Sequence, residues 1–541
     1  MVWLLNDVYD VEHRAYFMSE KKMELTPLKI RSHGASSVMH YDEQYTPYIE
    51  MTGLLPFVQL VSRSTPNLNA TAVTALIDRW RPETHSFHLQ TGEMTVTLQD
   101  VSMITALPIE GKPLCMSTDS EGWRQQMEAV IGMSPQEPEV EDGGKKDRVP
   151  TGATFTWIAA NFAHCPEDAD DEVIQRYARV YMWYVISRTI FADGTGKNAP
   201  WMWLKALTVF DNKFSWGSAA LAYLYRQLDD ACRRTTKDGG VGGCMLLLSW
   251  DLVLEVASEV NLLYKQYTNE MDSLTPEQVE WEPYGVGTNF GDAHTFELNP
   301  LCVQERHLWL MRCPLICNWA VEFHLPHRVL RQFGYFQPHP PEWVDTDTQL
   351  HRLDRRRQRK IKDWRKHHKS YVLMFEQSVQ ATSSIQLTQY RQHCALAFSN
   401  YLRWFQESTR VKICPPAYEE DILEEPTEYD ELAQGGYSKL IREGYQTSFA
   451  PVLNFVAADD MTLKAFQRSA YMLKPRKEFK RYSPDDYAKG KNPVAGGSRL
   501  SRMRSMDDEV EDDDDDESDD PEQFVVARRK KLASKRGRGP K

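Results

Sequence analysis

The chain has 541 residues, and its 64 Lys and Arg stand against 77 Asp and Glu, so its formal net charge is −13. Apolar residues make up 41% of the chain and the mean hydropathy is −0.55, a composition typical of a folded, mildly acidic protein and one that excludes disorder throughout. The most apolar long run, residues 244–263, contains Asp251, Glu255 and Glu259, so no transmembrane helix is expected.

The N-terminus and the cysteines indicate an intracellular protein. The first residues lack the basic region and the cleavage site of a secretory signal. The nine cysteines are an odd number without the spacing of a disulfide framework. We therefore expect reduced thiols, most of them buried as small apolar side chains.

Tryptophan positions outline a compact body. All fifteen tryptophans lie at or before residue 404, and a tryptophan is costly to leave in water. We predict a body over residues 42–415, preceded by an N-terminal extension over residues 1–41. A stretch rich in Pro, Gly and charge at about residues 134–154 predicts a linker within the body.

The residues after the body have a different character. Residues 416–505 are first acidic and then basic, with paired glycines, and we predict a low-order extension. Residues 507–522 hold thirteen acidic side chains, and residues 528–541 hold eight basic ones. Such blocks repel themselves and cannot bury enough apolar surface to fold. They predict a disordered, acidic-then-basic tail over residues 506–541.

Hydrophobic periodicity predicts a mainly α fold. Residues 84–89 and 94–98 alternate apolar and polar side chains on either side of a Gly-containing turn, which predicts one small β-hairpin. Residues 172–191, 218–228 and 245–264 place apolar side chains at helical spacing, and each predicts a core-facing helix. The expected fold is a multi-helix globular domain with this hairpin, followed by the disordered charged tail.

One short motif has a catalytic parallel. Asp292 and His294, in the sequence Gly-Asp-Ala-His, are similar to the first metal-binding block of phosphoprotein phosphatases. The two further blocks of those enzymes, Gly-Asp-x-Val-Asp-Arg-Gly and Gly-Asn-His-Glu, do not occur in the chain. No nucleophile elbow, zinc-protease motif or kinase signature occurs either. The sequence therefore predicts no catalytic residue and no enzyme, and Asp292 and His294 are the only support for a hydrolase or transferase.

The sequence does not predict that the candidate ligands of the hairpin, or those of the acidic helix, surround one metal ion. His85 and His88 are three residues apart, so on a strand they point to opposite faces, and we expect packing or local hydrogen bonds. Asp251, Glu255 and Glu259 form one stripe of a predicted helix without a Glu-x-x-His partner. That stripe is expected to be a solvated face.

The cysteine pair and the glycine cluster are also expected to be structural. Cys313 and Cys317, with His307 and His324 nearby, lack the Cys-x-x-Cys spacing of a zinc site and lie in an apolar stretch, so buried thiols are expected. The glycines of residues 239–243 lack the Lys-Ser/Thr of a phosphate loop and predict a turn. No metal or cofactor is predicted anywhere in the chain.

A basic segment is the strongest local charge feature. Residues 351–369 contain ten Lys and Arg against two Asp, a pattern that can neutralise nucleic-acid phosphates. The alternative is a solvated basic helix paired with acidic segments of the same chain, which the acidic net charge favours. The candidate nucleic-acid contacts are Arg355, Arg356, Arg357, Arg359, Lys360, Lys362 and Arg365.

The basic end of the tail predicts nuclear import. Two clusters of Lys and Arg lie close together in a segment expected to be exposed. The alternative is a basic end that only improves solubility. The predicted nuclear localisation signal comprises Arg528, Arg529, Lys530, Lys531, Lys535, Arg536 and Arg538.

Three ordered blocks resemble the plant mobile domain, a family also labelled aminotransferase-like. The first block comprises residues 83–101, with ETHSFHL and GEMTVTL, and continues to LPIEG at residues 107–111. The second comprises FSWGSA and LAYLYR within residues 214–226, followed by GGCMLLL. The third comprises HRVLRQFG at residues 327–334 and ends with YLRW at residues 401–404. Together the blocks extend over residues 42–415.

The resemblance implies a mainly helical, transposon-derived nuclear domain without established catalytic residues. It implies a role in transposon silencing, transcription control, genome maintenance or meristem development, with phosphoprotein-phosphatase-type, chromatin or silencing proteins as partners and no membrane. The chain offers no identifiable Schiff-base lysine, so the aminotransferase label receives no support. We therefore expect a non-enzymatic interaction module. Direct DNA binding by a transposable-element protein is the alternative, with an uncharacterised hydrolase or transferase as a further one.

Overall fold

The computed structural model of the protein describes residues 5, 7–30, 38–63, 68–136, 151–194, 196–236, 239–248, 260–279, 281–282, 284, 300–340, 361–382 and 391–413. Most of the regular structure in these residues is α-helical, as predicted. The helices are α1 (Asp7–Asp10), α2 (Arg14–Ser19), α3 (Thr46–Thr52), α4 (Leu55–Arg63), α5 (Ala70–Ile77), α6 (Leu98–Thr105), α7 (Trp123–Ile131), α8 (Phe155–Phe162), α9 (Asp171–Arg188), α10 (Trp201–Ala206), α11 (Trp216–Ala231), α12 (Val260–Asp272), α13 (Pro300–Val303), α14 (Trp364–His367), α15 (Lys369–Thr382) and α16 (Ala395–Ser408). Among these residues no helix combines the length and the apolar character needed to cross a membrane.

Short strands form four small sheets in the described residues. A three-stranded antiparallel sheet joins β2 (Trp80–Arg81), β3 (Ser86–Leu89) and β4 (Gly92–Met94). The two-stranded sheets pair β1 (Lys29–Ile30) with β7 (Gly240–Val241), β5 (Gly152–Thr154) with β6 (Asn198–Pro200), and β8 (Cys313–Cys317) with β9 (Ala320–His324).

The prediction of a single hairpin is corrected in three ways, the first being that β8 and β9 form a second antiparallel hairpin. The predicted hairpin exists as β3–β4, with Phe87 opposite Met94, but it gains β2 as a third strand. Its second strand ends at Met94 and not at Leu98, because Thr97 caps α6: the Thr97 N–H donates to the Asp100 carboxylate at 2.7 Å, and the Asp100 N–H returns a 3.4 Å bond to Oγ1 of Thr97. This reciprocal capping box begins a helix where alternation alone suggested strand.

The other predicted elements agree to different degrees. Helix α9 matches the prediction for residues 172–191 closely, and the prediction for residues 218–228 lies within α11. The prediction for residues 245–264 holds less well, since residues 245–248 form a 3₁₀ turn and the described helix α12 begins only at residue 260. The predicted glycine turn instead contains β7.

Five tryptophans anchor one continuous apolar core. Trp80, Trp183, Trp203, Trp216 and Trp364 are all at most 1% exposed, as expected from the cost of exposing an indole. They belong to a single cluster of buried side chains that extends from residue 15 to residue 413.

Residues 7–30 belong to this core, although the sequence predicts an extension there. Ala15 and Met18 of α2 are buried within the core cluster. The Arg14 guanidinium is fully buried and donates from Nε to Oδ1 of Asp78 at 2.6 Å. A second Arg14 nitrogen donates to the Tyr264 hydroxyl of α12 at 3.1 Å, and Tyr264 in turn donates to Asp78. One buried arginine thus joins α2, α5 and α12.

Several sequence predictions lie outside the described residues. Most of the predicted linker, residues 137–150, is among them, whereas Gly152–Thr154 at its end form β5. The predicted low-order extension over residues 416–505 and the predicted tail over residues 506–541 also lie outside.

We predict that Arg14→Met destabilises the protein by about 3–5 kcal/mol, because it leaves the Asp78 carboxylate buried without its cation. Guanidinium denaturation followed by circular dichroism would measure the free energy of unfolding. The matched control is Arg176→Gln, which removes an exposed pair with Glu172 within α9 and should cost less than about 0.5 kcal/mol. Equal effects of the two substitutions would show that residues 7–30 are not part of the folding unit.

Candidate functional site

The three sequence blocks meet in a region that we call the buried polar centre. Its members come from the β2–β4 sheet, from α11, from β9 and from the turn that follows β9. Each is at most 3% exposed. The centre comprises Glu83, His85, His88, Glu93, Arg226, Asp229, Glu322 and Arg328.

Glu93 of the first block is paired with Arg328 of the third block. Nε of Arg328 donates to Oε2 of Glu93 at 2.7 Å, and a terminal nitrogen donates to Oε1 at 2.9 Å. This two-point geometry is the strongest form of the Arg–carboxylate contact. The Ser86 hydroxyl adds a 2.8 Å bond to Oε2. The Glu93 N–H donates to the Tyr401 hydroxyl at 3.2 Å, which brings the last part of the third block to the same place.

His88 forms local hydrogen bonds, as predicted for it. Its Nε2 lies 3.0 Å from the Thr84 hydroxyl, and its Nδ1 lies 2.6 Å from the Thr409 hydroxyl. Burial lowers the pKa of His88 well below its usual value, and the charges of Arg81 and Arg328 lower it further. The imidazole is therefore neutral at physiological pH and serves as a buried connector between β3 and the segment after α16.

His85 has a different environment from the one that the sequence predicted. It lies in the turn before β3 with a φ of 50°, not on a strand. Its Nδ1 lies 2.9 Å from the Phe323 carbonyl oxygen, and its Nε2 lies 2.9 Å from Oε2 of Glu322. Arg226 donates from Nε to the other oxygen of Glu322 at 2.5 Å. Nδ1 must carry a proton in order to bond the carbonyl oxygen. Nε2 is then the ring nitrogen that faces the carboxylate.

Asp229 completes a triplet with His85 and Glu322. One ligand-type atom from each of these side chains lies within 4.8 Å of the other two, and all three side chains are buried. Asp229 is also held by the Trp80 indole, which donates to Oδ1 at 2.7 Å. The expected packing or local hydrogen bonds of His85 are thus replaced by contacts with residues 229, 322 and 323, which are far from it in sequence.

Further hydrogen bonds and one close approach of backbones connect the blocks to one another. The Tyr225 hydroxyl donates to the Val96 carbonyl at 2.6 Å, and the Gln332 amide bonds both the N–H and the carbonyl of Thr95 at 2.8 and 2.9 Å. Gly217 lets α11 approach the first block closely, since a Cβ there would lie 2.8 Å from both Ile109 and Val101 side-chain carbons. The motif residues thus fasten the blocks to one another.

The cysteine pair is structural, as the sequence predicts. Cys313 and Cys317 lie on β8, both buried, and desolvation raises the thiol pKa of each. His324 lies opposite Cys313 in the register. Its two nitrogens already bond the Met311 carbonyl at 2.7 Å and the Leu98 N–H at 3.3 Å. Among the described residues, this pair belongs to no cluster of three ligand-type side chains.

Only part of the predicted nucleic-acid segment is described. Lys362 is 58% exposed and lies 3.0 Å from the Asp119 carboxylate and 3.5 Å from that of Glu121. Arg365 on α14 is exposed. The other predicted contacts of this segment lie outside the described residues: Arg355, Arg356, Arg357, Arg359 and Lys360.

Two other sets of candidates also lie outside the described residues. These are the phosphatase-like pair and the acidic helical stripe, namely Asp292, His294, Asp251, Glu255 and Glu259. The predicted nuclear localisation signal lies outside as well.

Sequence reasoning missed the arginines and carboxylates of the centre. Arg226 and Asp229 lie among the apolar residues of α11, and Glu322 lies between Val321 and Phe323 on β9. A charge within an apolar run is a usable signal, because a charged side chain is buried only when it is paired. The signal does not identify the partner.

We predict that stability falls as the pH is lowered from 6.5 to about 4, because the buried histidines stay neutral while the unfolded chain takes up protons. Burial is the main reason that the pKa of His324 lies at about 4, against 6.5 in the unfolded chain. The slope of unfolding free energy against pH should be smaller in His324→Gln by up to about 1.4 kcal/mol per pH unit. Denaturation at several pH values would measure both slopes. Equal slopes would mean that His324 becomes protonated in the folded state.

Comparison with known proteins gives a consistent assignment. The chain is 30% identical over 389 residues to the serine/threonine-protein phosphatase 7 long form homolog of Arabidopsis thaliana, covering 64% of this chain and 27% of that protein. It is 31% identical to Protein MAIN-LIKE 1 of the same plant, covering 53% of this chain and 58% of that protein. It is 30% identical to Protein MAINTENANCE OF MERISTEMS, also from Arabidopsis thaliana, covering 51% and 59%. The chain therefore spans less than two thirds of each of these curated relatives.

No solved structure matches the chain. The sequence profile of the plant mobile domain matches residues 56–252 and 237–406. This matched region contains all three blocks and every residue of the buried polar centre. More than half of the chain thus fits one family profile, and the protein belongs to the plant mobile domain family.

Proposed function

We propose that this protein is a non-enzymatic interaction module that acts in the nucleus, in transposon silencing, transcription control or genome maintenance. Its partners in this proposal are phosphoprotein-phosphatase-type proteins or proteins of chromatin and silencing complexes. A transposon-derived origin is part of the same proposal.

The observation that carries the proposal is that the ionisable residues of the family motifs are buried and bonded to one another. Arg328 neutralises Glu93, and Arg226 neutralises Glu322, in contacts that are almost completely removed from water. A general acid, a general base or a nucleophile must reach its substrate. Side chains that are at most 3% exposed and bonded to one another are suited to hold a fold together. The family motif is thus better explained as a scaffold that presents a surface.

The relatives support the choice of partners. One relative is named as a phosphatase homolog, and the chain spans 27% of it. The chain has only the Gly-Asp-Ala-His similarity at Asp292 and His294, and it lacks the two further metal-binding blocks of phosphoprotein phosphatases. A domain that occurs in a protein of that name, and also in proteins named for meristem maintenance, is suited to an adaptor role.

Nuclear action is proposed from the basic cluster. Arg528–Lys531 and the basic residues at 535, 536 and 538 follow an acidic run. Such a cluster can be recognised by the import machinery when it is exposed.

We predict that affinity purification of the tagged full chain from plant nuclei recovers phosphatase-type, chromatin or silencing proteins. Mass spectrometry would identify them, with a chain that ends at Ser505 as the matched control for the tail. The truncated chain needs a heterologous import signal, so that a change in partners is separated from a change in localisation. Residues 7–30 should be kept in both, because they belong to the core.

Recovery of the same partners by both chains would locate the interaction in the folded region. Loss of every partner without the tail would move the interaction to residues 506–541 and contradict the module proposal. An absence of reproducible partners for the full chain would also contradict it.

Direct DNA binding is the second candidate, since Arg365 is exposed next to Lys362 on the described edge of the basic segment. Pairing of Lys362 with Asp119 weakens this candidate, because a phosphate would have to displace the carboxylate. We expect that replacing Arg355, Arg356, Arg357 and Arg359 by Gln leaves the affinity for duplex DNA and its salt dependence unchanged. A fluorescence-anisotropy titration at several salt concentrations would measure both. A weaker affinity with a salt slope reduced by about 3–4 would instead establish DNA contact.

A further inference from the structure

The triplet of His85, Asp229 and Glu322 has a donor set of a particular kind. It offers one imidazole nitrogen and two carboxylate oxygens, which are the ligands that zinc, manganese and ferrous iron share. The three donor atoms lie within 4.8 Å of one another. A cation at the centre of such a triangle lies at most about 2.8 Å from each donor, and zinc–nitrogen and zinc–oxygen bonds measure about 2.0–2.2 Å. Closing the triangle by less than about 1 Å brings all three donors to bonding distance, and a water molecule or a second carboxylate oxygen would fill the fourth position.

The contacts outside the triplet orient its members in the way that metal ligands are usually oriented. Nδ1 of His85 donates to the Phe323 carbonyl at 2.9 Å, which fixes the tautomer that directs the Nε2 lone pair at the triplet. Arg226 holds one oxygen of Glu322, and the Trp80 indole holds one oxygen of Asp229. Such outer contacts fix the direction and the basicity of the ligands.

The backbone supports the same placement of His85. Its φ of 50° lies in the left-handed region, which a residue with a side chain rarely adopts. The Thr95 hydroxyl donates to the His85 carbonyl at 2.6 Å and stabilises this conformation. The imidazole packs beside both the Tyr225 ring, at 5.0 Å, and the Trp80 ring, at 6.2 Å.

Charge and burial favour a bound cation of a structural kind. The two carboxylates supply the negative charge that attracts a divalent cation, and charge in such a buried place is stabilised only when it is paired. Because all three side chains are at most 1% exposed, no open position faces the solvent, as is usual in structural rather than catalytic sites.

We propose that His85, Asp229 and Glu322 bind a divalent transition-metal ion, with zinc or manganese as the favoured ions, that stabilises the junction of the β2–β4 sheet, α11 and β9. The ion enters while the chain folds and binds between His85, Asp229 and Glu322. This site is independent of the interaction function proposed above. It differs from the Cys313 and Cys317 pair, whose thiols remain protonated.

The test is refolding of the purified full chain in the presence and absence of metal. The chain is unfolded in guanidinium with a chelator, refolded with Zn²⁺, with Mn²⁺ or without metal, and separated from free ions. Metal content is then measured by mass spectrometry, and Tm by circular dichroism. We expect one bound ion per chain and a Tm increase of at least about 2 °C.

Two variants locate the ion. Asp229→Asn keeps an oxygen acceptor for the Trp80 indole but weakens the ligand, and it should lower the affinity for the ion by at least about tenfold. The matched control is His88→Gln, which changes an equally buried histidine of the same sheet that is not in the triplet, and it should retain the ion. If either variant fails to refold, Co²⁺ added during refolding of the unchanged chain gives the answer, because a nitrogen and oxygen site produces visible absorption bands without a thiolate charge-transfer band.

Three results would overturn the proposal. One is a refolded chain with no bound ion and with the same Tm in all three conditions. Another is an ion that Asp229→Asn retains with unchanged affinity, which would place it elsewhere. The third is a Co²⁺ spectrum with a thiolate band. The first result would leave the triplet as a buried network of polar contacts without a metal.

Discussion

The fold depends on pairing buried charges with partners that are distant in sequence. Glu93 with Arg328 and Asp78 with Arg14 join residues more than sixty positions apart, in places where water is excluded. Each pair forms only when both of its elements are in place, since an unpaired charge there is strongly destabilising. The apolar core supplies most of the driving force for folding. These charge pairs select the arrangement in which their members meet.

This requirement gives the family blocks a common physical meaning. The first block supplies Glu93, which Arg328 of the third block bonds, and the second block supplies Arg226, which bonds Glu322 just before the third block. Gln332 and Tyr225 then tie the same blocks through backbone groups at residues 95 and 96. A substitution in one block therefore leaves an unsatisfied group in another. The blocks behave as one unit although they are separated by long stretches of the chain.

The sequence predicted those features that depend on local periodicity. Helices α9 and α11 were predictable because their apolar side chains recur at helical spacing, and β3–β4 because apolar and polar residues alternate around a turn. The end of β4 was missed although Thr97 and Asp100 have the capping-box spacing. The triplet of the candidate site was not predictable, because neither Asp229 nor Glu322 carries a local signal that it faces His85. Only the folded topology specifies that juxtaposition.

The place of Asp10 has a consequence for how this domain is combined with others. One oxygen of Asp10 binds Arg81 at 3.0 Å, and the other binds Arg410 at 3.0 Å. The first and last parts of the described core therefore meet at one carboxylate. A domain whose entry and exit points are adjacent can be inserted into a longer chain without separating the flanking sequences. Host proteins of very different lengths could accept such a unit with little structural adjustment.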